Sequence, residues 1–138
     1  MGAPCFVDTN IWLYAFIETD DDPRSSQARQ LLQSSTPVIS TQVINEVCVN
    51  ALKRALLTES DIQDLIRSFY DKYAVIEMNE EILLAASRLR QRYSLSYWDS
   101  LIVSCALAGG TNVLYSEDLQ HDQLIDGELR ILNPFRDR

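Results

Sequence analysis

The chain has 138 residues, of which 46% are hydrophobic and 23% charged, and acids outnumber bases 20 to 12 for a net charge of −8. This suits one domain spanning residues 1–138 with its own core, and excludes a disordered tail or a collagen-like repeat. It also excludes a protein that coats nucleic acid through surface charge, because such a surface is basic.

Short apolar runs alternate with helical patterns along the chain. Pro4–Val7 reads as a buried strand ending at Asp8, and Asn10 as the cap of a short helix through Phe16. An acidic turn from Thr19 leads to Pro23, which opens a helix to Ser34 with Ala28, Leu31 and Leu32 on one side. Pro37-Val38-Ile39 is a second strand, and Ser40 or Thr41 caps a helix running to about Ala55. A further helix covers Glu59 to Tyr73, then Ala74-Val75-Ile76 forms a third strand. Asn79 caps a helix through Arg92, and Ser96 starts one that ends at Gly109-Gly110. Asn112 to Tyr115 is a fourth strand and Leu129 to Leu132 a fifth, stopped by Pro134. Alternating strand and helix predicts an α/β fold with a central, mostly parallel sheet of about four to five strands. The strands are apolar runs, as expected when helices cover both faces. Ligands of such sheets bind beyond the carboxyl ends of the strands.

Several chemistries are narrowed by what the chain lacks. His121 is the only histidine, so zinc sites needing two or three are excluded. Cys5, Cys48 and Cys105 sit apart among apolar neighbours with no CxxC, and read as small core residues in a reducing cytosol. No apolar run reaches a membrane span, and no basic segment precedes the N-terminal apolar stretch, so neither an anchor nor a signal peptide is expected. Phe6 stands where the myristoylation motif needs Ser or Thr.

Four acids stand out. Asp8 directly follows the first strand, and Asp118 lies three residues beyond the fourth; turn preference alone is a sufficient account of each. Asp99 falls among Ile102, Val103 and Ala106 on a helical wheel of about 100° per residue, with Ser100 and Ser104 marking the narrow polar side. A carboxylate there is costly unless paired, hydrogen-bonded or metal-bound, although Ser96-Tyr97-Trp98-Asp99 also reads as a capping box. Glu46 falls on the polar side of its helix with Gln42, Asn50 and Lys53, opposite Val43, Ile44 and Val47, and by periodicity is a solvated surface acid, a position that a solvated cleft wall equally accommodates. Trp98 and the other aromatics are accounted for by packing. Arg88, Arg90 and Arg92 read as helix-end charges that pair with surface acids, with phosphate binding as the alternative.

These segments carry a resemblance that covers essentially the whole chain, in order. Val7-Asp8-Thr9-Asn10 resembles the opening motif of PIN-domain ribonucleases, and Glu46 stands in the helix after the second strand as theirs does. Tyr97-Trp98-Asp99-Ser100-Leu101-Ile102 is similar to their third acidic motif, and Leu114 to Leu119 to the fourth, with Asn133-Pro134-Phe135 closing the pattern. Among PIN domains the pattern is most like that of VapC-type toxins of toxin–antitoxin pairs. The resemblance implies a quartet of Asp8, Glu46, Asp99 and Asp118 binding Mg²⁺ or Mn²⁺, with Glu117 beside the fourth position as its rival. Thr9, Asn10, Ser116 and Asp122 are implied as supporting residues. It implies a cytoplasmic, metal-dependent endoribonuclease acting on RNA, a homodimer, and a cognate antitoxin as partner.

Such chemistry suits a chain with one histidine, because oxygen ligands suffice to anchor Mg²⁺. One alternative is a catalytically inactive PIN-like module that only binds protein. Another is a phosphorylated-aspartate domain, which Asp8-Thr9-Asn10 disfavours for want of a second acid.

Overall fold

A computed structural model describes residues 2–17, 21–54 and 56–136. The chain follows the order Pro4–Val7 (β1), Thr9–Phe16 (α1), Pro23–Ser34 (α2), Thr36–Ser40 (β2), Thr41–Lys53 (α3), Glu59–Lys72 (α4), Ala74–Ile76 (β3), Glu80–Arg92 (α5), Tyr97–Ala108 (α6), Val113–Tyr115 (β4), Leu124–Ile125 (β5) and Leu129–Leu132 (β6). The six strands form one sheet in the order β3-β2-β1-β4-β6-β5, parallel throughout except for the β5–β6 pair. The fold is the expected α/β domain with a mostly parallel sheet.

The chain winds from β1 outward to β2 and β3, then crosses back to place β4 on the other side of β1. Right-handed crossovers therefore put the α5–α6 connection on the face opposite the earlier helices. The reversal lies between β1 and β4, which are in register at Phe6 with Leu114 and Val7 with Tyr115. At that switch point the two strands diverge in their connections and a crevice opens beyond their carboxyl ends.

Local chemistry sets most boundaries. Asp22, Ser40, Asn79 and Ser96 each accept a backbone N–H of the first turn of their helix, and Thr58 forms a reciprocal capping box with Asp61. The first helix departs from expectation. Asp8, not Asn10, is its cap: its backbone is extended, and its Oδ1 accepts from the Thr9 N–H at 2.8 Å. Strand and helix therefore meet with no intervening loop, and Asn10 is already in the first turn. Thr19 of the expected turn and Ala55 of the expected helix end lie outside the described residues.

The sixth strand was not expected. β5 has two residues, too few for any periodic signal, and pairs antiparallel with β6 across a turn in which Asp126 and Gly127 have φ of 51° and 69°. The Asp-Gly dipeptide is the sequence mark of such a turn. Helix α6 differs too. Ser100 and Ser104 do not face solvent but are buried, Ser100 accepting from Arg90 Nη1 at 2.7 Å and Ser104 donating to the Ile82 carbonyl at 2.8 Å. Its polar stripe is thus its contact with α5.

The core contains Phe6, Val7, Ile39, Leu114 and Ile131 of the sheet, and Ile11, Val43 and Val103 of the helices. Trp12 is fully buried, donates Nε1–H to the Val7 carbonyl at 3.0 Å, and meets Phe69 and Tyr73 edge-on at 5.4 and 5.0 Å. It ties α1 to the end of β1 and to α4. The three cysteines are buried free thiols. No helix among the described residues is long and apolar enough to cross a membrane.

Candidate active site

A cleft of ≈ 190 Å³ opens at the switch point. Asp8 reaches it from the end of β1, Glu46 from α3, Asp99 from the first turn of α6 and Asp118 from the loop after β4. Four carboxylates from four separate segments line this one cleft, and among the described residues no Lys, Arg or His lines it.

The supporting residues fix these acids in a chain of short bonds. Ser116, fully buried at the end of β4, donates Oγ–H to Asp8 Oδ2 at 2.8 Å and accepts the N–H groups of Asp118 and Leu119 at 3.3 and 3.2 Å. Thr9 donates its hydroxyl to Glu46 Oε1 at 2.6 Å, joining β1's end to α3. Asn10 donates Nδ2–H to Asp118 Oδ2 at 2.9 Å. The hydroxyl of Ser96 accepts the Asp99 N–H at 3.1 Å, but the Asp99 carboxylate does not return the bond that would complete a capping box. That carboxylate is left to the cleft.

Burial, more than anything else, pushes the Asp8 carboxyl up to about 6, and the nearby Glu46 and Asp118 add to it; the Thr9 amide and the Ser116 hydroxyl pull the other way. Asp118 is raised as well, by burial first and then by Glu117 and Asp99. The site is therefore short of positive charge, which a bound cation would supply. Among the described residues no three acidic, His or Cys side chains converge into a closed ligand set. Mg²⁺ keeps several waters and is anchored by only one or two carboxylates. An all-oxygen set spread across a small cleft fits Mg²⁺ or Mn²⁺ and has neither the nitrogen nor the sulfur ligands that would favour zinc.

Glu117 and Asp118 have different surroundings. Glu117 accepts from the Tyr14 hydroxyl at 2.6 Å and from Arg24 Nη1 at 3.0 Å, while Arg24 also stacks over the Tyr14 ring at 4.3 Å. Its carboxylate is bound into that clamp, and Asp118 alone of the pair lines the cleft. Asp122 lies elsewhere: it is exposed with φ of 68°, and its carboxylate meets Arg130 at 3.3 Å. Its sequence proximity to Asp118 is undone by the turn that leads into β5. His121 accepts the Asn133 N–H at Nδ1, pinning the closing loop. Arg92 pairs with Asp126 at 2.7 Å, away from the cleft.

On α3 the solvated side is a cleft wall, and at Trp98 the expected packing is not found. The polar side of α3 is not open surface: Gln42, Glu46 and Asn50, spaced by four, form one wall of the cleft. Trp98 is not packed inside; it is 63% exposed and lines the cleft mouth, because the first turn of α6 projects beyond the layer that begins at Ser100. Gln42 and Asn50 join the site through their i, i+4 spacing around Glu46, the one signal of their place that the sequence carries.

The family model of the PIN domain matches residues 5–125. Solved structures share the fold at low identity. A toxin–antitoxin complex from Klebsiella pneumoniae aligns with TM-score 0.70 at 22% identity, over 95% of this chain and 98% of that one. VapC20 of Mycobacterium tuberculosis, a sarcin–ricin loop cleaving toxin, gives 0.66 at 20%, over 83% and 89%. VapBC2 from Rickettsia felis, bound to a promoter DNA fragment, gives 0.65 at 20%, over 93% and 96%. No curated protein matches the chain in sequence.

Proposed function

The chain belongs to the PIN-domain family, and from that premise we propose that it is a Mg²⁺- or Mn²⁺-dependent endoribonuclease, the toxin of a toxin–antitoxin pair. The observation that carries this reading is that Asp8, Glu46, Asp99 and Asp118 all line one cleft at the switch point. These four residues would hold the metal. A bound divalent ion supplies charge neutralisation at the scissile phosphate and lowers the pKa of the attacking water.

The protein's own part is positioning. Ser116 and the Thr9 amide hold both oxygens of Asp8, so its carboxylate cannot rotate away when unliganded. The Thr9 hydroxyl engages one oxygen of Glu46, and Asn10 one oxygen of Asp118, which leaves each acid an oxygen for the cleft. The clamp of Tyr14 and Arg24 on Glu117 anchors the loop that carries Asp118.

The partners follow from the same reading. A mostly apolar hollow of ≈ 400 Å³ beside α1 and α4, lined by Phe16, Leu57, Leu65, Phe69 and Tyr73, suits an apolar segment of a cognate antitoxin. A homodimer in the cytoplasm completes the proposal, and the free cysteines suit its reducing conditions.

The test is cleavage of structured and unstructured RNAs with Mg²⁺ or Mn²⁺, repeated with chelator and with Asp8→Asn and Asp99→Asn. Cleavage lost in all three controls is expected. Cleavage that survives chelation or both substitutions refutes the mechanism, and no cleavage of any RNA favours a binding module.

A further inference from the structure

Beside the acidic cleft lies a second, larger hollow of ≈ 580 Å³, with Met78, Leu83, Leu101, Tyr97 and Trp98 among its walls. The two share Gln42, Glu46 and Trp98, so a ligand in one is within a nucleotide's reach of the other. Tyr97 and Trp98 meet edge-on at 5.2 Å, and Arg90, itself bonded to Ser100, lies over the Tyr97 ring at 4.5 Å. Tyr97 is thereby held from behind, while Trp98 presents a 63% exposed surface at the junction. Gln42 lines both hollows, and its Oε1 and Nε2 are both shielded from solvent and without a hydrogen-bond partner. A turn of that side chain toward the hollow exposes both atoms, and a ligand that brings a donor and an acceptor together then gives each the partner it lacks.

On the nuclease reading, we propose that this hollow receives one unpaired base of single-stranded RNA, stacked on Trp98, with the Gln42 side chain turning to pair with its edge. Charge favours such a contact. With a net charge of −8 and only acids among the charged described residues that line the cleft, the site does not offer the basic surface that ordinarily holds the phosphate backbone. The base is the part of the substrate that an acidic protein can grip, and an aromatic face with apolar walls grips it without counterions.

The experiment uses the two tryptophans. Trp12 is sealed in the core, so a fluorescence change on titration reports Trp98. Labelled hexanucleotides of A, C, G or U are titrated in EDTA and in Mg²⁺, with anisotropy and tryptophan emission read from the same sample. The expected result is quenching that tracks the anisotropy, with affinity little changed by salt. Trp98→Leu should weaken binding about 5- to 100-fold, in line with the loss of one stacked base, and Trp98→Phe should recover part of it. Gln42→Leu should change the ranking of the four bases while the quenching persists. Binding with silent tryptophan emission, or Trp98→Leu binding as well as the parent, overturns the proposal while leaving the nuclease reading intact. So does a free protein whose Trp98 is already shielded from acrylamide while sedimentation shows a dimer, since a second copy then fills the hollow. No anisotropy change with any oligonucleotide, together with no RNA cleavage, overturns both.

Discussion

Replacing Asp8 with asparagine should stabilise the metal-free protein at neutral pH. The Asp8 carboxyl is raised from 3.8 to about 6 in the folded chain. At 1.36 kcal/mol per unit, carrying that charge when folded costs about 3 kcal/mol. The folded state binds this proton more tightly than the unfolded chain does. Stability therefore falls as pH rises from near 4 to near 6, and the whole deficit is present above 6. Asparagine removes the charge but sacrifices a bond. If its oxygen keeps the Thr9 N–H, its amide faces a Ser116 Oγ that already accepts from Asp118 and Leu119. That loss is about 1 kcal/mol, so the net gain at pH 7 is about 2 kcal/mol. Near pH 4 the gain disappears and the sign reverses. Urea denaturation of both proteins in EDTA, at pH 4, 5, 6 and 7, measures the crossover directly. A variant less stable than its parent at pH 7, or a difference that does not vary with pH, refutes the charge argument.

The remaining expectations concern metal, the paired acids and the core. Melting temperature should climb as Mg²⁺ or Mn²⁺ is added, with about 2.7 kcal/mol gained at a hundredfold excess over Kd; Asp99→Asn should lose most of the gain, and a flat titration of the parent removes the linkage. Glu117→Gln should cost about 1–2 kcal/mol in denaturation, since it weakens bonds to Tyr14 and Arg24, yet leave RNA cleavage within a few-fold of the parent. Asp118→Asn should do the opposite, lowering cleavage at least about a hundredfold with little loss of stability; matched effects of the two would erase the distinction. Trp12→Ala should cost about 3–5 kcal/mol, because a large buried side chain is lost and the Val7 carbonyl loses its donor. A midpoint shift of under about 1 kcal/mol would contradict the placement of Trp12.

The elements were legible because their ends are written in short-range chemistry. Asn79 and Ser96 cap the helices they were expected to cap, and of the pair Ser40 and Thr41 it is Ser40 that caps α3. The strands are apolar runs that no amphipathic helix explains. The tertiary meaning of a polar face was less readable. Periodicity separates core from non-core, and a cleft wall is non-core; on the wheel Glu46 therefore looked like surface, and only the PIN-like motif order put it in the acidic set. Trp98 misled in the converse direction. An apolar residue next to a buried run reads as buried, but the first turn of a helix can overhang the layer beneath it. Neighbouring residues in a turn are also beyond such reasoning. Glu117 and Asp118 are adjacent and equally charged, and only their partners, Tyr14 and Arg24 for one and Asn10 for the other, separate them.

The sheet's rim bears on how the molecule meets other chains. Its outermost strands are β3, with three residues, and β5, with two. A strand so short offers an incoming backbone only a few free amide and carbonyl groups, too little to template an added strand. Growth of the sheet by edge-to-edge pairing is therefore disfavoured, and with it both amyloid-like stacking and capture of an extended peptide by strand addition. A partner must engage helical surface instead, where side chains rather than backbone decide the fit. Recognition there can diverge between related chains by substitution alone, while the parallel core and the carboxylates at its carboxyl end stay unchanged.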